Sequence, residues 1–206
     1  MEFRKDSILD VFKKYNAFLE GHFLLSSGLH SDKYIQCALV LQYPDIAEQI
    51  SMLLFEEIRA NTNLWQQVTA VVAPALGGVI IGHEIARVIK TFTQKQIRFM
   101  FTERSDDGKM TLRRNFEITP SDKVVIVEDV VTTGKSTNEV IEVVKSFGGD
   151  ILFLCSIFNR SKNLNFPYPY YFLSKIDVNN YEVQDCPLCK QNIPLIKPGS
   201  RKIFNV

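Results

Sequence analysis

Four runs between residues 68 and 158 are apolar without alternating: VTAVVAP at 68–74, IRFMF at 97–101, KVVIVE at 123–128 and ILFLCSIF at 151–158. A strand with one solvated face alternates apolar and polar residues, so unbroken runs belong to strands covered on both sides. Helical periodicity fills the gaps, from about Val79 to Thr91 and from about Ser136 to Phe147. Strand-helix-strand order with both faces buried implies a parallel sheet with right-handed crossovers. The expected class is α/β, an open, mainly parallel sheet flanked by helices. Nearer the N-terminus, Ile8, Leu9, Phe12 and Tyr15 share one face of a helix expected over residues 7–19. Ile46, Ile50, Leu53, Leu54 and Ile58 do the same after Pro44.

At 206 residues, with no repeat or linker, the chain is expected to form a single domain over 1–206. Lys and Arg total 24 against 23 Asp and Glu, a net charge of +1. That balance gives no nucleic-acid footprint, so any anion site must be local. No basic segment leads into an apolar run at the N-terminus, and no stretch approaches the ~20 apolar residues of a bilayer span. A soluble, cytoplasmic protein is expected. Cys37 and Cys155 stand in apolar surroundings and read as small buried hydrophobes. Cys186 and Cys189 form one CxxC, half of a usual zinc set, and His22, His30 and His83 lack metal-site spacing. A structural turn is the expectation for the CxxC unless two subunits pool ligands.

In sheets of this kind ligands bind outside the carboxyl ends of the strands. One such end is VVIVEDVVTTGKST at 124–137. Glu128 and Asp129 are adjacent carboxylates leaving a buried strand, and without partners their repulsion and desolvation favour a protonated form. Metal, basic side chains or the paired hydroxyls of a sugar would answer them. The turn at 132–137 offers backbone N–H groups, hydroxyls and the positive end of a helix, a combination that accepts phosphate. Acceptors for hydroxyls beside a phosphate cradle fit a ribose phosphate. GKST at 134–137 also resembles the end of a Walker A loop, but Asp129 stands where that motif needs its first Gly. The remaining alternative is a polar strand end followed by an ordinary helix cap.

VVIVEDVVTTGKST resembles the phosphoribosyl-diphosphate signature of type I phosphoribosyltransferases. GHFLLSSGLHSDKYIQCALVLQYP at 21–44, APALGGVIIGHEIAR at 73–87, FTERSDDGKMTLRRNF at 101–116, CPLC and KPGSR are similar to the bacterial orotate phosphoribosyltransferase family. The resemblance implies the type I fold with a small N-terminal hood drawn from residues 1–44. It also implies transfer of phosphoribose from phosphoribosyl diphosphate to orotate in pyrimidine (UMP) synthesis, Mg²⁺ and a homodimer. By the same resemblance Glu128 and Asp129 face the ribose hydroxyls, Thr132, Thr133, Gly134, Lys135 and Ser136 hold the ribose phosphate, and Val130 and Val131 between them also belong to the phosphoribosyl-diphosphate site. Thr132, Arg160 and Tyr34 meet orotate. Arg160 read alone is a surface charge as readily as a ligand, and Tyr34 a core residue as readily as a stacking one.

Transfer at the anomeric carbon leaves positive charge on ribose and negative charge on departing diphosphate. ERSDDGKMTLRR at 103–114 fits a mobile basic loop over that centre. The resemblance implies that Arg104 reaches the diphosphate from the neighbouring subunit, and that Lys109 is the loop lysine. With Asp129 these are the expected catalytic residues. The chain departs from the family pattern at three places: RSDDGK replaces RKxxKxHG, Leu76, Gly77 and Gly78 occupy the usual lysine turn after Pro74, and Ser26 stands for the lysine of LKSG. Lys109, Arg113 and Arg114 are candidates to compensate, and the PALGG turn offers backbone amides. The competing functions are a purine phosphoribosyltransferase and a non-catalytic phosphoribosyl-diphosphate-binding regulator.

Overall fold

The structure, a computed structural model, describes residues 5–25, 28–161 and 164–198. Ser26 and residues 199–201 of KPGSR lie outside the described residues. The elements in chain order are α1 (Ile8–Lys14), β1 (Phe18–Leu24), β2 (His30–Ile35), α2 (Ala38–Leu41), α3 (Pro44–Asn61), β3 (Ala70–Pro74) and α4 (Gly77–Thr93). There follow β4 (Arg98–Arg104), β5 (Met110–Leu112), β6 (Lys123–Val131), α5 (Lys135–Ser146), β7 (Asp150–Asn159), β8 (Tyr170–Lys175), β9 (Asn180–Tyr181) and α6 (Pro187–Lys190).

Six strands form the main sheet in the order β5-β4-β3-β6-β7-β8, parallel throughout except for the β4–β5 hairpin at one edge. The unalternated runs are its central strands, and all five residues of β3 are buried. Alternate residues of β6 serve two cores. Val125 and Val127 face a cluster built with α1, α3 and α4, whereas Val124 and Ile126 face one built with α5. From β3 the chain steps outward through α4 to β4 and β5, then returns to the other side of β3 as β6. The sheet therefore reverses direction between β3 and β6, and a crevice opens where two such strands diverge at their carboxyl ends.

Residues 15–19 are not helical. α1 stops at Lys14, Asn16 adopts φ 53°, and Phe18 already begins β1. A left-handed Asn is a natural stop for a helix, and the strand that follows buries Phe18 and Phe23. α1 is held instead by Phe12, whose ring meets Phe158 of β7 edge-on at 4.6 Å.

The hood is a separate antiparallel sheet, β1-β2-β9, so it draws on the C-terminal half of the chain as well as on residues 18–35. Its third strand was not visible in the sequence, and neither was β8.

The segment at 103–114 is a β-hairpin. β4 runs to Arg104 and pairs with β5 through Thr102↔Leu112, Glu103↔Thr111 and Arg104↔Met110. The turn owes its form to Asp-Gly chemistry. Ser105 Oγ donates to Asp107 Oδ1 at 2.5 Å, the Lys109 N–H donates to the same carboxylate, and Gly108 takes φ 80°.

Candidate functional site

A cleft of about 770 Å³ lies at the carboxyl ends of β6 and β7, between the main sheet and the hood. Its floor is the motif singled out in the sequence. β6 continues past the acids to Val131, pairing Val130 with Phe158 and Val131 with Asn159, so Glu128 and Asp129 are strand residues rather than residues beyond a strand end. Both line the cleft, and the Asp129 N–H donates to Glu128 Oε1 at 3.3 Å.

Asp129 is packed against Gly77, the first residue of α4. A Cβ at Gly77 would stand 2.7 Å from both carboxylate oxygens. Any side chain there would displace the acid, so the glycine of the PALGG turn serves close approach. Asp129 Oδ1 accepts the Val130 N–H at 2.8 Å. The buried Cys37 thiol keeps its proton, first because it is desolvated and second because the Asp129 carboxylate is beside it.

Glu128 is 8% exposed. Its carboxyl is pushed well above the usual range, first by burial and then by the charge of Asp129.

Beyond Val131 the chain turns through Thr132 and Thr133 to Gly134, which adopts φ 73° and begins α5 without a side-chain cap. A Cβ on Gly134 would meet Leu164 at 2.8 Å, so left-handed backbone and packing both demand glycine there. The Lys135 N–H meets the Thr133 Oγ1 only at 3.4 Å, a length at which an anion at the helix start would compete for the donor.

Arg160 follows β7 directly and forms the opposite wall. It is 8% exposed, and its Nη2 donates to Ser31 Oγ at 3.5 Å and to the Lys33 carbonyl at 3.4 Å. Both bonds are at the limit of useful length. Its buried Nε has no hydrogen-bond partner among the described residues. Burial weakens its hold on the proton, yet a guanidinium remains charged in proteins. An under-bonded buried cation is costly unless an anion completes it.

From the hood, Tyr34 lines the same space, with its hydroxyl donating to Gln36 Oε1 at 2.6 Å.

Arg104 lines the cleft of its own chain. Its Nη2 donates to Glu139 Oε2 on α5 at 2.5 Å, and its Nη1 to the Gly108 carbonyl at 2.7 Å. Of the expected site residues, Lys109 alone is outside the cleft lining. It is solvent-exposed and pairs with Asp107 at 3.3 Å. Arg114 is likewise engaged, by Glu103 at 2.8 Å through two bonds. Sequence reasoning missed Lys197 and Pro198, which reach the cleft from the C-terminal segment. The KPGSR string was the only signal, and it carried no spacing relation to the rest.

Residues 40–191 match the family model described as phosphoribosyl transferase domain. An orotate phosphoribosyltransferase of Caldanaerobacter subterraneus subsp. tengcongensis is 44% identical over 97% of this chain and 99% of its own. One from Caldicellulosiruptor bescii is 46% identical over 96% and 98%. Among solved structures, orotate phosphoribosyltransferase of Aeropyrum pernix superposes with a TM-score of 0.63 at 23% identity, covering 81% of this chain and 92% of that one.

The raised pKa of Glu128 makes a testable prediction about the ligand-free protein. A carboxyl whose folded pKa is raised contributes fully below its unfolded value, 4.5, and that contribution is lost as pH rises toward the folded value. Glu128→Gln is expected to remove this loss. Denaturant unfolding between pH 4.5 and 8 should show the variant gaining on the parent chain as pH rises; parallel curves would refute it.

Proposed function

We propose, for a chain that belongs to the orotate phosphoribosyltransferases of the phosphoribosyl transferase domain family, that its cleft binds the two substrates through the residues described above. The reaction transfers the phosphoribosyl group from phosphoribosyl diphosphate to orotate, giving orotidine monophosphate and diphosphate in pyrimidine synthesis.

The observation that carries the assignment of the orotate side is Arg160. Orotate is a flat anionic heterocycle, and a planar guanidinium with unused donors suits its carboxylate or ring carbonyl better than any neutral group would. Tyr34 faces it from the hood and Thr132 adds a hydroxyl from the phosphate loop. On the sugar side, Asp129 and Glu128 accept from the ribose hydroxyls, while Thr132, Thr133, Gly134, Lys135 and Ser136 surround the 5-phosphate. Backbone donors at the start of α5 supply charge stabilisation that needs no reorganisation during reaction.

In the reaction the bond from the anomeric carbon to diphosphate oxygen breaks as the bond from the orotate ring nitrogen forms, and the proton of that nitrogen passes to the departing diphosphate or to water. Positive charge builds on the ribose, where the acid pair is placed to offset it. Negative charge leaves with diphosphate, and Arg104 meets it by exchanging Glu139 for the departing group. Lys109 would join from the tip of the hairpin after leaving Asp107.

Burial first and the Asp129 charge second raise the pKa of Glu128, and the two side chains offer hard carboxylate oxygens, so the pair fits a divalent cation carried in with the diphosphate. Asp129 and Glu128 would face it, and Mg²⁺ when bound neutralises the diphosphate oxygens. Among the described residues no helix is long and apolar enough to cross a membrane; a cytoplasmic setting accords with this reading.

Absorbance assays with Mg²⁺ and phosphoribosyl diphosphate are expected to show orotate consumption and no turnover of hypoxanthine or adenine. Arg160→Ala should raise the KM for orotate by about 30-fold or more, the scale of about 2 kcal/mol for a lost charge-assisted pair, with little change for phosphoribosyl diphosphate. Equal effects on both substrates would remove the arginine from the base subsite. A homodimer whose hairpins serve neighbouring clefts belongs to the same reading. Arg104→Ala and Asp129→Asn subunits, each inactive alone, are expected to regain activity when mixed. Failure to regain it would confine Arg104 to its own chain.

A further inference from the structure

Four side chains that take no part in the cleft converge at the outer end of the hood. His22 comes from β1, His30 opens β2, and Cys186 and Cys189 bracket the start and middle of α6. Their ligand atoms all lie within 4.8 Å of one another. His22 Nε2 is 2.8 Å from His30 Nδ1, 3.4 Å from Cys186 Sγ and 3.6 Å from Cys189 Sγ, and His30 Nδ1 is 3.3 Å from Cys189 Sγ. A tetrahedral zinc ion with ordinary bond lengths sets its nitrogens about 3.3 Å apart and each nitrogen about 3.6 Å from each sulfur. The four separations given above lie within about half an ångström of these values, and the 4.8 Å span of the whole set needs to close by no more than about 1 Å to surround one ion.

The tautomer is also the one a metal requires. His22 Nδ1 is 2.8 Å from the Ile193 carbonyl, which can only accept, so the proton is on Nδ1. Nε2 is thereby left with its lone pair directed into the cluster, in the arrangement by which an outer carbonyl orients a ligating imidazole.

A second observation concerns what holds this part of the chain in place. Among the described residues from Asn179 to Pro198, Cys186 alone is buried. Val183, Ile193, Leu195 and Ile196 are exposed, so no apolar core fixes the segment. Yet it is tied to the hood: the Ile196 N–H donates to the His22 carbonyl at 2.8 Å and the Leu24 N–H to the Ile196 carbonyl at 2.8 Å. Meanwhile His22 and His30 are 2% and 3% exposed, and Cys186 is 0% exposed. Buried imidazoles and thiols gathered where apolar packing is missing are the mark of a metal-stapled unit.

We propose that His22, His30, Cys186 and Cys189 bind one zinc ion in a closed structural site that pins the C-terminal segment onto the hood. Two thiolates and two imidazoles in tetrahedral disposition select zinc among the common divalent ions. Four protein ligands leave no position for water or substrate, so the ion's contribution is to folding rather than chemistry. The pinned segment leads straight into Lys197 and Pro198, and β1 into Leu24 and Leu25, all of which line the cleft. The ion therefore shapes one wall of the cleft from outside it. This inference stands on the hood alone and holds whichever base the cleft accepts.

Elemental analysis of the purified full chain, after dialysis against a weak chelator, is expected to find one zinc per chain. Replacement by Co²⁺ should give the visible absorption of a tetrahedral cobalt-thiolate centre. Cys186→Ser combined with Cys189→Ser should lose the metal. Stripping the parent chain with a strong chelator should speed tryptic cleavage at Lys190 by about tenfold or more, as local opening of the segment becomes easier. Less than about a tenth of an equivalent of zinc, an adventitious ion only that leaves in weak chelator, a Cys186–Cys189 disulfide in the purified chain, or metal retained by the double variant would each overturn the proposal. The first three readings use the unaltered protein, so a variant that fails to fold does not blunt the test.

Discussion

The parallel pairing of β3 with β6 is the constraint on which the site depends. Ala70, Val71 and Val72 lie beside Val124, Val125 and Ile126, all of them fully buried. This register sets the PALGG turn at the end of β3 against the acids near the end of β6, bringing Gly77 onto Asp129 without space for a Cβ. It also fixes where the sheet reverses, because β4 lies on one side of the pair and β7 on the other. The crevice is thus a consequence of strand order, and the chemistry occupies the one place where that order leaves an opening.

What fills the opening is a set of charges that the fold leaves uncompensated. Glu128 is buried beside a second carboxylate, and burial first and that neighbour second push its pKa well above the usual range. Arg160 is buried with two long hydrogen bonds and an idle Nε. A chain built for stability alone would pair or replace these groups, since packed apolar side chains are as good or better in such positions. In the function proposed above, the sugar hydroxyls of phosphoribosyl diphosphate and the anionic ring of orotate would supply the missing partners. The cost in stability and the capacity to bind are therefore the same physical fact seen with and without ligand.

Legibility in the sequence followed burial and contiguity. The central strands and the helices between them were evident because each buries both faces or one stripe, and the acid pair with its phosphate loop lies in one run of fourteen residues. Arg160 and Arg104 could be placed only through family likeness, since a lone arginine after a strand has no pattern of its own. The strands of the hood, which was itself expected only through family likeness, were hidden for a related reason. β9 is two residues long, and β1 and β2 mix buried and exposed positions irregularly, with a register shift between Glu20 and Phe23. The hairpin at 103–114 read as open loop because its polar residues satisfy one another rather than water. The His and Cys cluster was the least visible, its members being 164 and 167 residues apart; only the three-dimensional chain brings the halves of that set together.

The central claim is that Asp129 and the loop into α5 together hold a phosphorylated ribose. Titration calorimetry with phosphoribosyl diphosphate and Mg²⁺ tests it most directly. The account predicts saturation at one ligand per chain, with binding weakened severely in Asp129→Asn although that variant remains folded. No measurable binding by the parent chain, or an isotherm that Asp129→Asn leaves unchanged, would contradict it.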